Sequence, residues 1–305
     1  MTTGEKKAAL LLAFGGIEKT DDIEPFLKNI LRGRPVSSVM LARTRERYEK
    51  IGGRSPLLDI TRAQAAAVEK KLAEKGAAQK VYVGMRYWHP YIKDTIEEII
   101  GDGVTRVTAA VMTPFTSPVA TGGYEDDMAQ IQSAGGSDIR VDFIGNWHLA
   151  PLLLEAVVDN IKVAVGDADP ADLLVIYSSH SLPREALEGD AYEMKINQTV
   201  AVLNKMFPAD HRISYQSQGT STISWLGPST DDMIEEAKKL GKKGVVIVPL
   251  GFVADHVETL YDIDIMYRNF AESLGLVFKR SASLNTSPKF IELLAQEIKN
   301  LSERF

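Results

Sequence analysis

The stretch 255–264, DHVETLYDID, crowds Asp255, His256, Glu258, Asp262 and Asp264 together directly after the apolar run 244–250. Carboxylates beside an imidazole can take up protons or hold a cation near neutral pH. Glu258 and Asp262 stand four residues apart, so on an α-helix they share one face and repel each other. A solvated acidic face near a helix N-terminus accounts for the same letters, because the helix dipole favours negative charge there. A second candidate lies upstream, in Ser178-Ser179-His180-Ser181-Leu182-Pro183. There His180 falls just past the carboxyl end of an apolar run, and Pro183 delays the next helix, which leaves the imidazole on a loop. A hydrogen-bonded turn histidine is the plain alternative. A site is favoured because both groups fall at strand ends in the same half of the chain, where open α/β sheets bind ligands.

Other residues suit recognition more than reaction. Arg43, Arg45, Arg47 and Arg54 surround Gly52-Gly53; guanidinium groups bind ligand carboxylates bidentately, although a solvated helix face has the same composition. Arg86-Tyr87-Trp88-His89-Pro90 adds basic and aromatic groups at the end of the second apolar run. Trp225, in a loop bounded by Gly219 and Gly227-Pro228, is either a core plug or a wall for a flat aromatic ligand.

Eight strand-like runs position these groups: 7–14, 80–87, 106–112, 139–145, 173–178, 212–217, 244–250 and 276–281. Helical patterns separate them, among them 21–31, 62–75, 91–100, 149–166, 191–206 and 230–241. Strand alternating with helix throughout predicts parallel α/β layers. The runs divide four and four at Trp147–Pro151, which predicts two similar halves, 1–147 and 148–305, facing each other across a cleft. The last helix, 288–303, closes the chain and can pack back on the N-terminal half. Neither half carries a nucleotide signature: no G-x-G-x-x-G follows the first strand, and neither a phosphate loop nor a G-x-S-x-G elbow occurs. The cleft therefore needs another ligand.

Composition narrows the function classes. A net charge of −6 argues against a nucleic-acid partner. The absence of cysteine excludes disulfides, thiolate zinc sites and cysteine-held iron–sulfur clusters. No apolar run reaches the ~18 residues that span a bilayer. The N-terminal EKKAALLLAFGG reads as a buried first strand and not as a secretion signal, so the expected location is the cytoplasm.

Five blocks, IGGRSP, GMRYWHP, SSHSLP, YQSQGTSTISWLGP and VPLGFVADHVETLYDIDI, resemble the ferrochelatase family in order and separation, from about residue 8 to the C-terminus. The resemblance implies two Rossmann-like, chelatase-type halves, each a four-stranded parallel sheet, with a porphyrin cleft between them. It implies insertion of Fe²⁺ into protoporphyrin IX or coproporphyrin III with release of two protons, late in haem biosynthesis. By position, His180 and Glu258 match the family's histidine and glutamate that flank the macrocycle centre and contact the metal. Asp262 matches the next acid, which passes charge towards solvent. The following place in that line is Met266. Phe14 falls where relatives carry Tyr or Met facing the porphyrin, so no axial ligand is expected from that side. Arg47, Tyr48, Ser55 and Tyr124 fall at positions that contact the porphyrin or its propionates, and Arg86, Tyr87 and Trp225 join the substrate-binding set. Iron is implied as substrate, and no tightly bound cofactor is expected. Protein partners would be a haem acceptor or an upstream enzyme of the haem pathway. The competing expectations are a chelatase for another metal and tetrapyrrole, such as cobalt, and a porphyrin or haem carrier without catalysis.

Overall fold

The structure, a computed structural model, describes residues 5–135, 139–219 and 223–304. Two four-stranded parallel sheets form its frame. The first comprises β1 (Lys7–Ala13), β2 (Val81–Met85), β3 (Arg106–Val111) and β4 (Arg140–Phe143), in the order β2-β1-β3-β4. The second comprises β5 (Leu173–His180), β6 (His211–Gln216), β7 (Gly244–Pro249) and β8 (Val277–Arg280), in the matching order β6-β5-β7-β8. Parallel sheets need cover on both faces, and this explains why the inner strands are apolar runs without alternation. In β1 every residue from Ala8 to Ala13 is buried, as is every residue of β7. Each such Leu, Ile or Val contributes about 1.5–3 kcal/mol when fully removed from water.

Helices α1 (Ile23–Ile30), α2 (Ser38–Lys50), α3 (Leu57–Glu74), α4 (Ile92–Gly101) and α5 (Pro118–Gly135) precede β4. Next come α6 (Pro151–Val165), α7 (Tyr192–Met206), α8 (Thr230–Lys239), a helix over Glu258–Tyr267 continued as α9 (Arg268–Ser273), and α10 (Pro288–Glu303). Some of their N-termini carry recognisable start signals. Ser229 and Asp232 form a reciprocal capping box at α8, and Pro151 opens α6 where its missing N–H costs nothing. In the first unit Leu10, Leu12, Ile96, Ile99 and Val107 pack together; in the second, Leu174, Ile176, Ile234, Val245, Ile247 and Ile263 do the same.

The compact units are not contiguous in sequence. One contains Met1–Met112, Thr121–Gly145 and Asn285–Phe305; the other contains Thr113–Ala120 and Asn146–Leu284. Segment 113–120 belongs with the second because Asp190 accepts from the Val119 N–H at 3.1 Å and Lys195 donates to the Thr116 carbonyl. In the first unit α10 packs along α3, and Lys299 Nζ donates to the Lys75 carbonyl at 2.9 Å. Among the described residues no helix is long and apolar enough to cross a membrane.

The helix over Glu258–Tyr267 is a π-helix, with i→i+5 hydrogen bonding in place of the α pattern expected from the sequence. Residues four apart then fall short of a full turn, where in an α-helix of 3.6 residues per turn they pass it. The buried Thr259, Ile263 and Tyr267 recur at that four-residue step. π segments are rare and concentrate at functional sites.

Candidate active site

Parallel strands bring all their carboxyl ends to one edge of a sheet, so β5, β6 and β7 deliver His180, Gln216 and Pro249 to the same margin. His180 is the last residue of β5 and pairs with Gln216, which corrects its expected place on the loop beyond the strand. The strand lasts longer than its apolar run because β6 runs alongside it as far as Gln216, whose carbonyl accepts from the Ser181 N–H at 2.8 Å. After β7 the chain turns back over this edge, with the Leu250 N–H donating to the Ser178 carbonyl at 2.8 Å. A Cβ at Gly251 would lie 3.3 Å from Ser179 Cα, so glycine allows this close passage. The turn then feeds the π-helix, whose first residue is Glu258.

The outcome is a carboxylate between two imidazoles. His180 Nδ1 lies 3.2 Å from Glu258 Oε2, and His256 Nε2 lies 3.7 Å from the same oxygen. Phe252 packs against His256 at 4.5 Å with the rings tilted by 56°, and meets His180 edge-on at 6.4 Å. The His180 and Glu258 side chains keep 37% and 23% of their surface exposed, so a ligand can reach both. Burial pushes the Glu258 carboxyl up, but the charge and hydrogen bond of His180, joined by those of His256, outweigh it. The group is held well below its ordinary value. In the neutral ring, a carboxylate accepting from Nδ1–H favours the His180 tautomer that carries its lone pair on Nε2.

Behind this pair lies a buried polar network. Ser178 Oγ donates to Gln216 Oε1 at 2.7 Å, and Gln216 Nε2 donates to the Glu258 carbonyl at 3.2 Å. Thr230 Oγ1 lies 3.2 Å from Ser178 Oγ and 3.0 Å from Ser214 Oγ. Tyr192 Oη donates to the His180 carbonyl at 2.9 Å, and burial pushes its phenol well up, so it stays a donor. Asp262 is buried and accepts from Ser217 Oγ at 2.7 Å; Ser217 adopts a left-handed φ of 58° that aims its hydroxyl.

The structure brings His180, Glu258 and Asp262 together in the second unit, where Trp225 also belongs. Trp225 pairs with Pro183 across an isolated antiparallel bridge, and its ring fills the space a Cβ would take at Gly219. The remaining candidates lie in the first unit. Phe14, just past β1, is 47% exposed and packs on Tyr87 at 4.6 Å between ring centres. Arg86 Nε donates to Asp127 Oδ2 at 2.7 Å, and its guanidinium lies 5.1 Å from the Tyr87 ring centre and 5.3 Å from that of Tyr124. Arg86 therefore already has a carboxylate partner within the protein. Tyr124 is buried, and burial raises its phenol pKa. Tyr48 and Ser55 are buried against Gly16, where a Cβ would clash with Ser55 at 2.6 Å. Arg47 is half-buried on α2, Arg43 is exposed, and Arg54 pairs with Asp59 on the surface.

Sequence reasoning left His256, Gln216, Ser217 and Tyr192 out of the site. His256 was visible as a neighbour of Glu258, and Gln216 and Ser217 as polar groups at a strand end. Nothing in the letters points from Tyr192, twelve residues on, back to the His180 carbonyl.

Two four-stranded parallel sheets flanked by helices, in matching strand order, are the chelatase-type α/β fold. Solved structures with this fold include the sirohydrochlorin chelatase SirB from Bacillus subtilis subspecies spizizenii in complex with cobalt. It is 13% identical, covers 98% of each chain and superposes with a TM-score of 0.57. CbiX, the terminal enzyme for biosynthesis of sirohaem in denitrifying bacteria, gives a TM-score of 0.57 at 12% identity over 96% of this chain and 98% of that one. Sequence comparison is more specific. The family profile described as Ferrochelatase matches residues 6–301. A ferrochelatase of Deinococcus radiodurans is 35% identical over 98% of this chain and 96% of its own, and one of Geotalea uraniireducens is 36% identical over 95% and 96%. The chain belongs to the ferrochelatase family.

Proposed function

We propose that the protein inserts Fe²⁺ into a porphyrin, releasing two protons, as a late step of haem biosynthesis. The observation that carries this reading is the His180–Glu258 pair, 3.2 Å apart and open to solvent at the sheet edge. A free porphyrin carries two pyrrole N–H protons, both of which leave as the dication enters. His180 Nε2 takes the first of these protons, and the Glu258 carboxylate stabilises the resulting imidazolium. One nitrogen and one oxygen donor also suit a weakly held Fe²⁺ that has to be handed on to the macrocycle. Asp262, with its hydrogen bond from Ser217, is the next acid in the path of charge towards solvent. Phe14, Arg47, Tyr48, Ser55, Arg86, Tyr87, Tyr124 and Trp225 belong to the same proposal as porphyrin contacts. Aromatic groups that hold the ring bent turn its nitrogen lone pairs towards the metal, worth about 1–5 kcal/mol drawn from binding elsewhere on the substrate.

The test is anaerobic incubation with Fe²⁺ and either protoporphyrin IX or coproporphyrin III, followed through the Soret and Q bands. Conversion of the free-base spectrum to that of haem is the expected result, and whichever porphyrin gives the higher kcat/KM is the substrate. His180→Ala should bind porphyrin as before and insert no iron. Near-normal turnover by that variant would overturn the assignment.

A further inference from the structure

The four acids of the stretch 255–264 divide into two pairs. Glu258 and Asp262 face His180 and Ser217, whereas Asp255 and Asp264 face Arg280, the last residue of β8. Arg280 Nη1 donates to Asp255 Oδ1 at 2.9 Å, and its Nε donates to Asp264 Oδ1 at 2.8 Å. All three side chains are largely shielded from water, so these are charge-assisted bonds of the stronger kind. The Asp255 oxygen also accepts from Ser283 Oγ at 2.8 Å and lies 3.1 Å from Thr259 Oγ1. Thr259 is fully buried, and its hydroxyl oxygen accepts the His256 backbone N–H at 3.0 Å. The His256 ring reaches Glu258. Arg280 is thus joined to the site carboxylate by an unbroken line of contacts through Asp255, Thr259 and His256, and its two anchors lie on either side of Glu258 in the chain.

We infer that Arg280 is a positioning residue for Glu258: its guanidinium fork bridges Asp255 and Asp264 and so fixes the segment that holds the carboxylate against His180. This deepens the iron-insertion reading and rests on it. A lysine cannot replace the fork, because one ammonium lacks the planar pair of directed donors that meets two carboxylates.

The experiment uses the full chain with Arg280→Met, Arg280→Lys, Thr259→Val and the Arg280→Met/Thr259→Val double variant. For each, anaerobic iron-insertion kinetics are measured on folded protein, along with porphyrin affinity by fluorescence quenching and amide hydrogen exchange. Arg280→Met should lower kcat by about 10- to 100-fold, the cost of a misplaced group near the reacting atoms, while porphyrin KM stays within about twofold. Exchange should speed up across 254–262. Arg280→Lys should recover part of kcat. Because Arg280 and Thr259 act along one line, the double variant should be no slower than the slower single variant, whereas independent sites would multiply their losses. Wild-type kcat in folded Arg280→Met, a change in KM alone, or multiplicative losses overturn the role; if that variant does not fold, full activity in Arg280→Lys and Thr259→Val does so. Should the unsubstituted protein insert no iron, the iron-insertion reading falls, and unchanged exchange over 254–262 in Arg280→Met would separately remove Arg280 from its role.

Discussion

Glu258→Gln tests the imidazole–carboxylate pair directly, since glutamine keeps the shape and an oxygen acceptor for His180 Nδ1–H but loses the charge. At the observed 3.2 Å, Coulomb attraction between an imidazolium and a carboxylate is about 5 kcal/mol at an effective dielectric of ~20. Both side chains are partly exposed, at 37% and 23%, so water screens the pair. That exposure brings the usable attraction down to about 1.5–2.5 kcal/mol, within the range of a hydrogen bond to a charged group. This stabilisation appears only once His180 has taken the pyrrole proton, so it lowers the barrier without tightening substrate binding. The expected loss is about 10- to 70-fold in kcat, at roughly tenfold per 1.36 kcal/mol. Porphyrin KM should not move. The assay is stopped-flow mixing of enzyme and porphyrin with Fe²⁺ under argon, read in the Soret band at saturating substrate. A variant within twofold of the parent kcat, or one that loses affinity and keeps kcat, would refute the assigned role of the carboxylate.

The pair also predicts a pH dependence of stability. The folded protein holds Glu258 below its ordinary value of 4.5, so its ionisation favours the fold above that value and the contribution fades as pH falls through the depressed folded value. The difference in urea-unfolding free energy between the parent and Glu258→Gln should therefore narrow from about pH 6 to pH 3, and a gap that stays constant or widens contradicts the depressed value. Tyr192→Phe removes the donor to the part-buried His180 carbonyl and should cost about 0.5–1.5 kcal/mol in the same measurement; no loss would mean the carbonyl finds another donor.

How far these features could be read from the letters varied with their physical origin. Apolar runs announced all eight strands, because a sheet covered on both faces has to be built from such runs. The end of β5 was misplaced by two residues, since Ser179 and His180 are held in the strand by β6. Helix α2 shows little apolar periodicity, with Tyr48 as its one buried residue, and α5 contains Gly122-Gly123; neither gives a strong helical pattern. His180 and Glu258 were legible as candidates because each lies in a motif block, His180 at the end of β5 and Glu258 in the acidic stretch that follows β7. The sorting of Asp255, Glu258, Asp262 and Asp264 between two sets of partners was not. Spacing and motif position set Glu258 and Asp262 apart, but only the register of β5, β6 and β8 decides which cation or hydroxyl each acid meets. The π-helix was hidden for a related reason, since a four-residue apolar step is also compatible with an α-helix.

The pairing of α10 with α3 bears on how the chain is made. Emerging from the ribosome, the polypeptide delivers β1 to β4 long before Pro288–Glu303 exists, so the side of α3 that α10 covers stays wet until that helix has been made. The second unit, apart from the short piece 113–120, is continuous and has all its strands by Leu284. Of the two, the part that begins to be synthesised first is the later to be complete.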